Sequence, residues 1–371
     1  MRLSRAVVSL LMAQTLWVGP AAARPQGIGP EVFIVPADAP TVPLGTLGHV
    51  EKRGTGPQTL VLIPGMSFGW RIWDEFMQRN ADRYTMYAIT LPGFDGTPSP
   101  PTPAESELFE LCHWTNGAIS GILDLIEREK LQRPIIVGHH NLGDHLAMRL
   151  GLEHPDLVGG VIVVSGEPSR GVPSDLDGDP RPSVDDHRIF VSRHLVPRMR
   201  TQSLHAPSEV RVPAASLCRD DERAGQLDAE QSSVPRYVEY RYFLEFMTTD
   251  LALALPSMRA PLLVIEARGD AEAMIDRIME LYLKKGMSEE EARQMVDSML
   301  QQRFGSLENA MSQLGGDPAW EDLRPKVPGL TIEYIEETGI FIMDDQPAKL
   351  DALIQTFATA RRSAAGASST P

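Results

Sequence analysis

PIIVGHHNLGDHLAMRLGLEHPDLVGGVIVV, residues 134–164, reads as a strand, a sharp turn, a helix and a second strand. PIIVG (134–138) and LVGGVIVVS (157–165) are short, apolar and β-branched, whereas residues 142–154 repeat their apolar positions at helical spacing. The polar cluster His139-His140-Asn141 falls at the turn between strand and helix. A strand that feeds a helix and then another strand is the unit of a parallel sheet covered on both faces.

The same alternation extends outward from this segment. TLVLI (59–63), YTMYAI (84–89), PLLVIEA (261–267) and LTIEYIEE (330–337) are further strand-like runs. Residues 70–80 and 105–130 carry helical periodicity between them. VFIVPA (32–37) and GTLGHVEKR (45–53) are expected to be antiparallel entry strands. The predicted architecture is α/β, a doubly wound and mostly parallel sheet.

Two stretches break the alternation and read as lid-like insertions leaving from the carboxyl ends of strands, where open α/β sheets bind ligands. Residues 169–256 are rich in Pro, Asp, Arg and Ser up to about 235 and then turn helical over 237–255. Residues 271–320 read as a helical hairpin, with Ile275, Ile278, Met279 and Tyr282 on one face and Ala292, Met295, Val296 and Met299 on another. Gly286 suits a helix end, and Ser288 with Glu291 makes a capping box. The core is therefore expected in two parts, 24–168 and 257–361, followed by a frayed tail at 362–371.

Residues 1–23 read as an export signal, with Arg2 and Arg5, an apolar run from Ala6 to Val18 and the small residues Ala21-Ala22-Ala23. An uncleaved N-terminal anchor is the alternative. The expectation is a periplasmic or secreted protein with no stable membrane insertion once the signal is removed. Cys112 and Cys218 would then meet an oxidising compartment, either paired or as two separate buried thiols. A net charge of −15, from 35 basic and 50 acidic residues, argues against a nucleic-acid partner, because phosphates need the opposite field. A small molecule is the expected ligand, and the sequence sets no oligomeric state.

The chain resembles the α/β-hydrolase family over roughly residues 45–360. LVLIPGMSFGW (60–70) is similar to its oxyanion strand and turn, LPGFDGTP (91–98) to the loop after the next strand, and 134–164 to its nucleophile elbow and the elements beyond. PLLVIEARGD (261–270) resembles the strand ending in the catalytic acid, and EETGIFIMDDQPAKL (336–350) the stretch bearing the catalytic histidine. The resemblance implies a hydrolase fold. The triad itself departs from the pattern.

Anchored on Gly143, the nucleophile position falls on Asn141; counted from Gly138 it falls on His140. An amide nitrogen is no nucleophile near neutral pH, and His139 stands where a small residue belongs and is expected to crowd the turn. The family's Gly-His reads Gly339-Ile340, and isoleucine accepts no proton, so Asp270 alone remains at its place. Gly65-Met66-Ser67-Phe68-Gly69 matches G-x-S-x-G, which makes Ser67 a rival nucleophile. Its position one strand before Leu91-Pro92-Gly93 instead assigns Met66, Ser67 and Phe68, with Leu142, to substrate and oxyanion binding. His139, His140, Asp144 and His145 crowd one turn but diverge, so neither a metal nor a cofactor is expected. What remains is noncovalent acid–base chemistry or residual hydrolysis by Asn141, His140 and Asp270 on a small, partly apolar ester- or amide-like compound. The alternative is a noncatalytic protein that binds a small ligand or a protein partner in the same pocket.

Overall fold

The structure is a computed structural model that describes residues 33–168, 184–200, 218–268, 271–284, 286–304 and 318–367. The export-signal reading of 1–23 lies outside the described residues, as does Asp270. Seven strands form one sheet: β1 (His49–Arg53), β2 (Gln58–Ile63), β3 (Tyr84–Thr90), β4 (Ile135–His139), β5 (Gly160–Val164), β6 (Leu262–Arg268) and β7 (Leu330–Glu336). Their order is β1-β3-β2-β4-β5-β6-β7, with β1 antiparallel to β3 and every other pair parallel. The crossover of β3 over β2 leaves β2 and β4 side by side, paired from Leu60↔Ile135 to Ile63↔Gly138.

Helices in chain order are α1 (Asp74–Arg79), α2 (His113–Arg128), α3 (Leu142–Glu153), α4 (Val184–Phe190), α5 (Val196–Arg200), α6 (Asp221–Ser233), α7 (Arg236–Met247), α8 (Ala271–Lys284), α9 (Glu289–Phe304), α10 (Pro318–Leu323), α11 (Ile342–Asp345) and α12 (Pro347–Ala367). A π-helical turn, Val191–Leu195, joins α4 to α5. The sheet's two faces bury separate apolar clusters. Val61, Ile136, Val161 and Val264 face α2, α3 and α7, while Leu62, Val137, Ile162 and Ile265 face α1 and α12. None of the described helices is long and apolar enough to cross a membrane.

Three expectations need correction. The described part of VFIVPA is not a strand, for Pro36 has no N–H to give a ladder; Phe33 packs edge-on against Phe109, and Val35 donates its N–H to the Thr102 hydroxyl. The helix expected from 70 begins as a 3-10 turn, Trp70–Trp73, before α1. The helix expected from 105 starts only at His113, after a 3-10 turn at Phe109–Leu111 and a left-handed Cys112 at φ 51°.

A distant carboxylate sets that last boundary. Glu245, on α7, accepts from the N–H groups of Trp114 and Thr115 at 3.2 and 2.8 Å, where a helix start leaves donors unsatisfied. Arg241 closes the pair from one turn away, its Nε 2.6 Å from Glu245, and both side chains are fully buried. Its guanidinium also lies over the Phe109 ring at 4.7 Å. From Val238 to Met247 every residue of α7 is buried, so this insertion helix forms part of the core. The α8–α9 hairpin instead buries Ile278 and Val296 against each other, with Gly286 at φ 88° and the Ser288–Glu291 box between its helices.

Cys112 and Cys218 are both free and buried, which answers the alternative left open by the sequence. Cys112 lies against Glu245 and Thr248, and Cys218 against Asp345.

Removing Glu245 strands the Arg241 charge in the core and uncaps α2. Glu245→Ala is expected to cost about 3–5 kcal/mol in urea denaturation. Replacing both partners by apolar residues, as Arg241→Met with Glu245→Leu, is expected to cost clearly less.

Candidate functional site

The turn from β4 into α3 is built on very close backbone approach. A Cβ on Gly138 would lie 2.2 Å from the Gly143 carbonyl oxygen, and one on Gly143 would lie 2.5 Å from that of Pro64. With the chain pressed between β2 and β4 in this way, the connection is made by two residues at positive φ, His140 at 26° and Asn141 at 57° with ψ −108°. Non-glycine residues hold such angles only when their surroundings impose them, and they gather at functional sites. Asn141 therefore stands at the apex, at the carboxyl edge of the sheet and the amino end of α3.

Each histidine is tied to a different neighbour. His140 Nδ1–H donates to the Ser165 carbonyl at 2.8 Å, and because a carbonyl only accepts, the lone pair of the neutral ring sits on Nε2. His139 Nε2–H donates to the Ile340 carbonyl at 2.9 Å, which puts its lone pair on Nδ1. Burial, reinforced by the neighbouring His140, drives the His139 pKa down to about 3. His139 does not crowd the turn as its size predicts. Its ring packs between Trp73 and Phe341, and the missing side chain of Gly65 makes room, since a Cβ there would come within 2.9 Å of Nδ1.

The loop after β2 closes the other side. Met66, Ser67 and Phe68 are buried, as is Leu142 at the start of α3; Ser67 adopts φ 70°, and Phe68 packs edge-on against Phe341. The first N–H groups of α3, Leu142 among them, have no acceptor within the helix and face the elbow's edge of the sheet. Gly339-Ile340 reaches the elbow through the Ile340 carbonyl, so the structure brings Asn141, His140, Met66, Ser67, Phe68, Leu142 and Ile340 into one region. Asp144 is used locally, accepting from the Glu167 N–H at 2.9 Å. Among the described residues no three His, Cys, Asp or Glu side chains gather as a metal set.

Four acids that no motif marked complete the surroundings. The Ser67 hydroxyl donates to Glu239 of α7 at 3.4 Å, and the Gly69 N–H to Glu230 of α6 at 2.5 Å. Burial holds the Glu230 carboxyl above its ordinary range. Asp345 accepts from the N–H groups of Gly339 and Arg219 at 2.8 and 2.7 Å, while Arg223 Nε donates to Asp344 at 3.2 Å. Burial lifts Asp344 to about 6 against the opposing pull of Arg223. Residues 218–247 thus strap the loop after β2 to the loop after β7. The one available signal was local: Glu239, Arg241 and Glu245 interrupt an otherwise apolar, aromatic stretch, YVEYRYFLEFM, where charges need buried partners.

The depressed pKa of His139 has a direct consequence. Between its ordinary value of 6.5 and its folded value of about 3, the unfolded chain binds a proton that the folded chain refuses. Its contribution to stability is complete above pH 6.5 and is lost as the pH falls through that window. His139→Gln keeps a donor for Ile340 without the titration. It is expected to flatten the acid limb of a stability–pH curve over this range; an unchanged limb would show that His139 is charged when folded.

Comparison with known proteins agrees with this geometry. The model of the alpha/beta hydrolase family matches residues 60–350. A pimeloyl-[acyl-carrier protein] methyl ester esterase of Aeromonas hydrophila is 28% identical over 119 residues, 32% of this chain and 41% of that protein. The match thus spans less than half of that relative's length. A thermophilic esterase from Thermogutta terrifontis superposes with a TM-score of 0.57 at 15% identity, covering 84% of this chain and 93% of the other. The enol-lactonase from Burkholderia xenovorans does so at 0.56 and 13%, covering 84% and 96%. At such identities the superpositions speak for the fold alone. The family match covers most of the chain, and the sheet order and the elbow agree with it: the protein belongs to the α/β hydrolase family.

Proposed function

We propose that the protein is an exported hydrolase-family member that acts on a small, partly apolar ester- or amide-like compound by noncovalent acid–base chemistry. The observation that carries this reading is the His140 Nδ1–Ser165 carbonyl bond, which fixes the ring and puts the lone pair of its neutral form on Nε2, next in the chain to Asn141 at positive φ. In this reading Nε2 takes a proton from water as the water oxygen bonds to the substrate carbonyl carbon. The carbonyl electrons move onto oxygen, and the N–H groups of Leu142 and the Met66–Ser67 turn stabilise that oxyanion. Its collapse breaks the bond to the leaving oxygen or nitrogen, which takes the proton back from Nε2. Asn141 donates its amide to the substrate, and Asp270 stands at the family's acid position. Apolar selectivity follows from Met66 and Phe68. Export rests on the composition of residues 1–23, and the acidic balance speaks for a small-molecule ligand over nucleic acid.

A second reading is a noncatalytic pocket for a small ligand or a protein partner. It is favoured by the burial of the region, where Asn141 is 2% exposed and Leu142 not at all.

Initial rates on a panel of short aryl esters and anilides separate the two. Wild-type turnover that falls about 100-fold or more in His140→Gln is expected for acid–base catalysis. Asn141→Ser is expected to bring no gain, since no base stands at Ile340. Equal rates for wild type and His140→Gln would overturn the catalytic role of His140. Saturable ligand binding without turnover would establish the second reading.

A further inference from the structure

The opposite edge of the sheet carries a second concavity that the elbow chemistry does not use. It is an open cleft of about 590 Å³, lined at the amino ends of the strands by Gln58, Thr59, Gly159 and Pro261, by the turn from Glu129 to Arg133, and by Arg361 and Arg362 of α12. The elbow lies at the far end of β4, about 17 Å away for a strand of this length.

The charge in this cleft is out of keeping with the whole chain. Four cations, Lys130, Arg133, Arg361 and Arg362, line it in a protein of net charge −15. Its only lining carboxylate, Glu129, is already engaged by the Tyr87 hydroxyl at 3.1 Å and Lys52 at 3.4 Å. Among the described residues none of the four cations pairs with an Asp or Glu. Carboxylates outnumber cations along this chain, yet none among the described residues pairs with the group, so its mutual repulsion favours an incoming anion.

The cations are also positioned. Arg133 sits at φ 47° and donates from one guanidinium nitrogen to the Val158 carbonyl at 3.1 Å, which leaves the rest of its fork for other acceptors. Lys130 is likewise left-handed, at φ 54°. Gly159 lets the Arg133 carbonyl approach, because a Cβ would meet that oxygen at 2.4 Å. Arg361 rests on the Phe357 ring at 5.3 Å, and its Nε is buried with no acceptor. Planar guanidinium forks match tetrahedral oxyanions in paired hydrogen bonds.

We propose that this cleft binds a phosphate-bearing small molecule of the phosphomonoester or diphosphate class, at a site separate from the elbow. The concave shape and its volume, within the range of small-molecule sites, favour a free ligand over a lipid headgroup presented by a membrane.

Isothermal titration of the purified full chain with inorganic pyrophosphate tests this directly. Saturable binding with a Kd below about 1 mM, weakening as salt rises, is expected. Lys130→Gln with Arg362→Gln, both exposed, is expected to weaken it about tenfold or more without loss of fold. His140→Gln is expected to bind as wild type does, so failure at the elbow and failure here are told apart. Absence of saturation, or affinity unchanged in the double variant, overturns the site. Cosedimentation with phosphatidylglycerol but not phosphatidylcholine vesicles, without pyrophosphate binding, overturns the small-molecule assignment in favour of a headgroup.

Discussion

The contact of the α3 amino end with the ends of β2 and β4 governs the rest of the site. Gly138 and Gly143 bring backbone against backbone at separations that no Cβ would tolerate, and the chain must turn within the four residues between them. Positive φ at His140 and Asn141 is the geometric result. The strain is held by a parallel sheet paired on both sides of β4 and by helices packed on both faces, so the elbow rests on the buried centre of the sheet. The imidazoles of His139 and His140 then fasten the turn to the loops after β7 and β5, one ring each. The same two contacts choose the tautomers, which is how the fold places a lone pair at the elbow.

Polar groups from residues 218–247, most of them charged side chains, do the fastening above this frame. Glu230 and Glu239 accept from the loop after β2, Arg219 and Arg223 reach the loop after β7, and Glu245 caps α2. These bonds are worth more buried than exposed, and each carries a desolvation cost that appears in the raised pKa values of Glu230 and Asp344. Such contacts define where two loops stand relative to the elbow more than they add net stability.

Strands were legible because a sheet buried on both faces needs continuous β-branched runs, and each parallel strand stands where its run does. The elbow was legible for a related reason, since Gly143 and the helix after it mark a place where so tight a turn can sit. The start of α2 was not legible, because its cap comes from Glu245, some 130 residues away in the chain. VFIVPA failed for the opposite reason: its β propensity is real, but Pro36 and a docking site for Phe33 override it. The volume of His139 at its own position predicts crowding, whereas the space it needs is supplied by Gly65 in the loop after β2. Glu239 and Glu230 carry no motif, and only the fold brings them to the loop after β2.

The most direct test of an elbow without a covalent nucleophile is labelling of the folded protein with a fluorophosphonate, followed by peptide mass spectrometry. No adduct on any serine is expected, with Asn141 at the apex and Ser67 held by Glu239. A stoichiometric adduct on Ser67 would contradict the account, moving the nucleophile to the loop after β2 and making the protein a serine hydrolase of unusual layout.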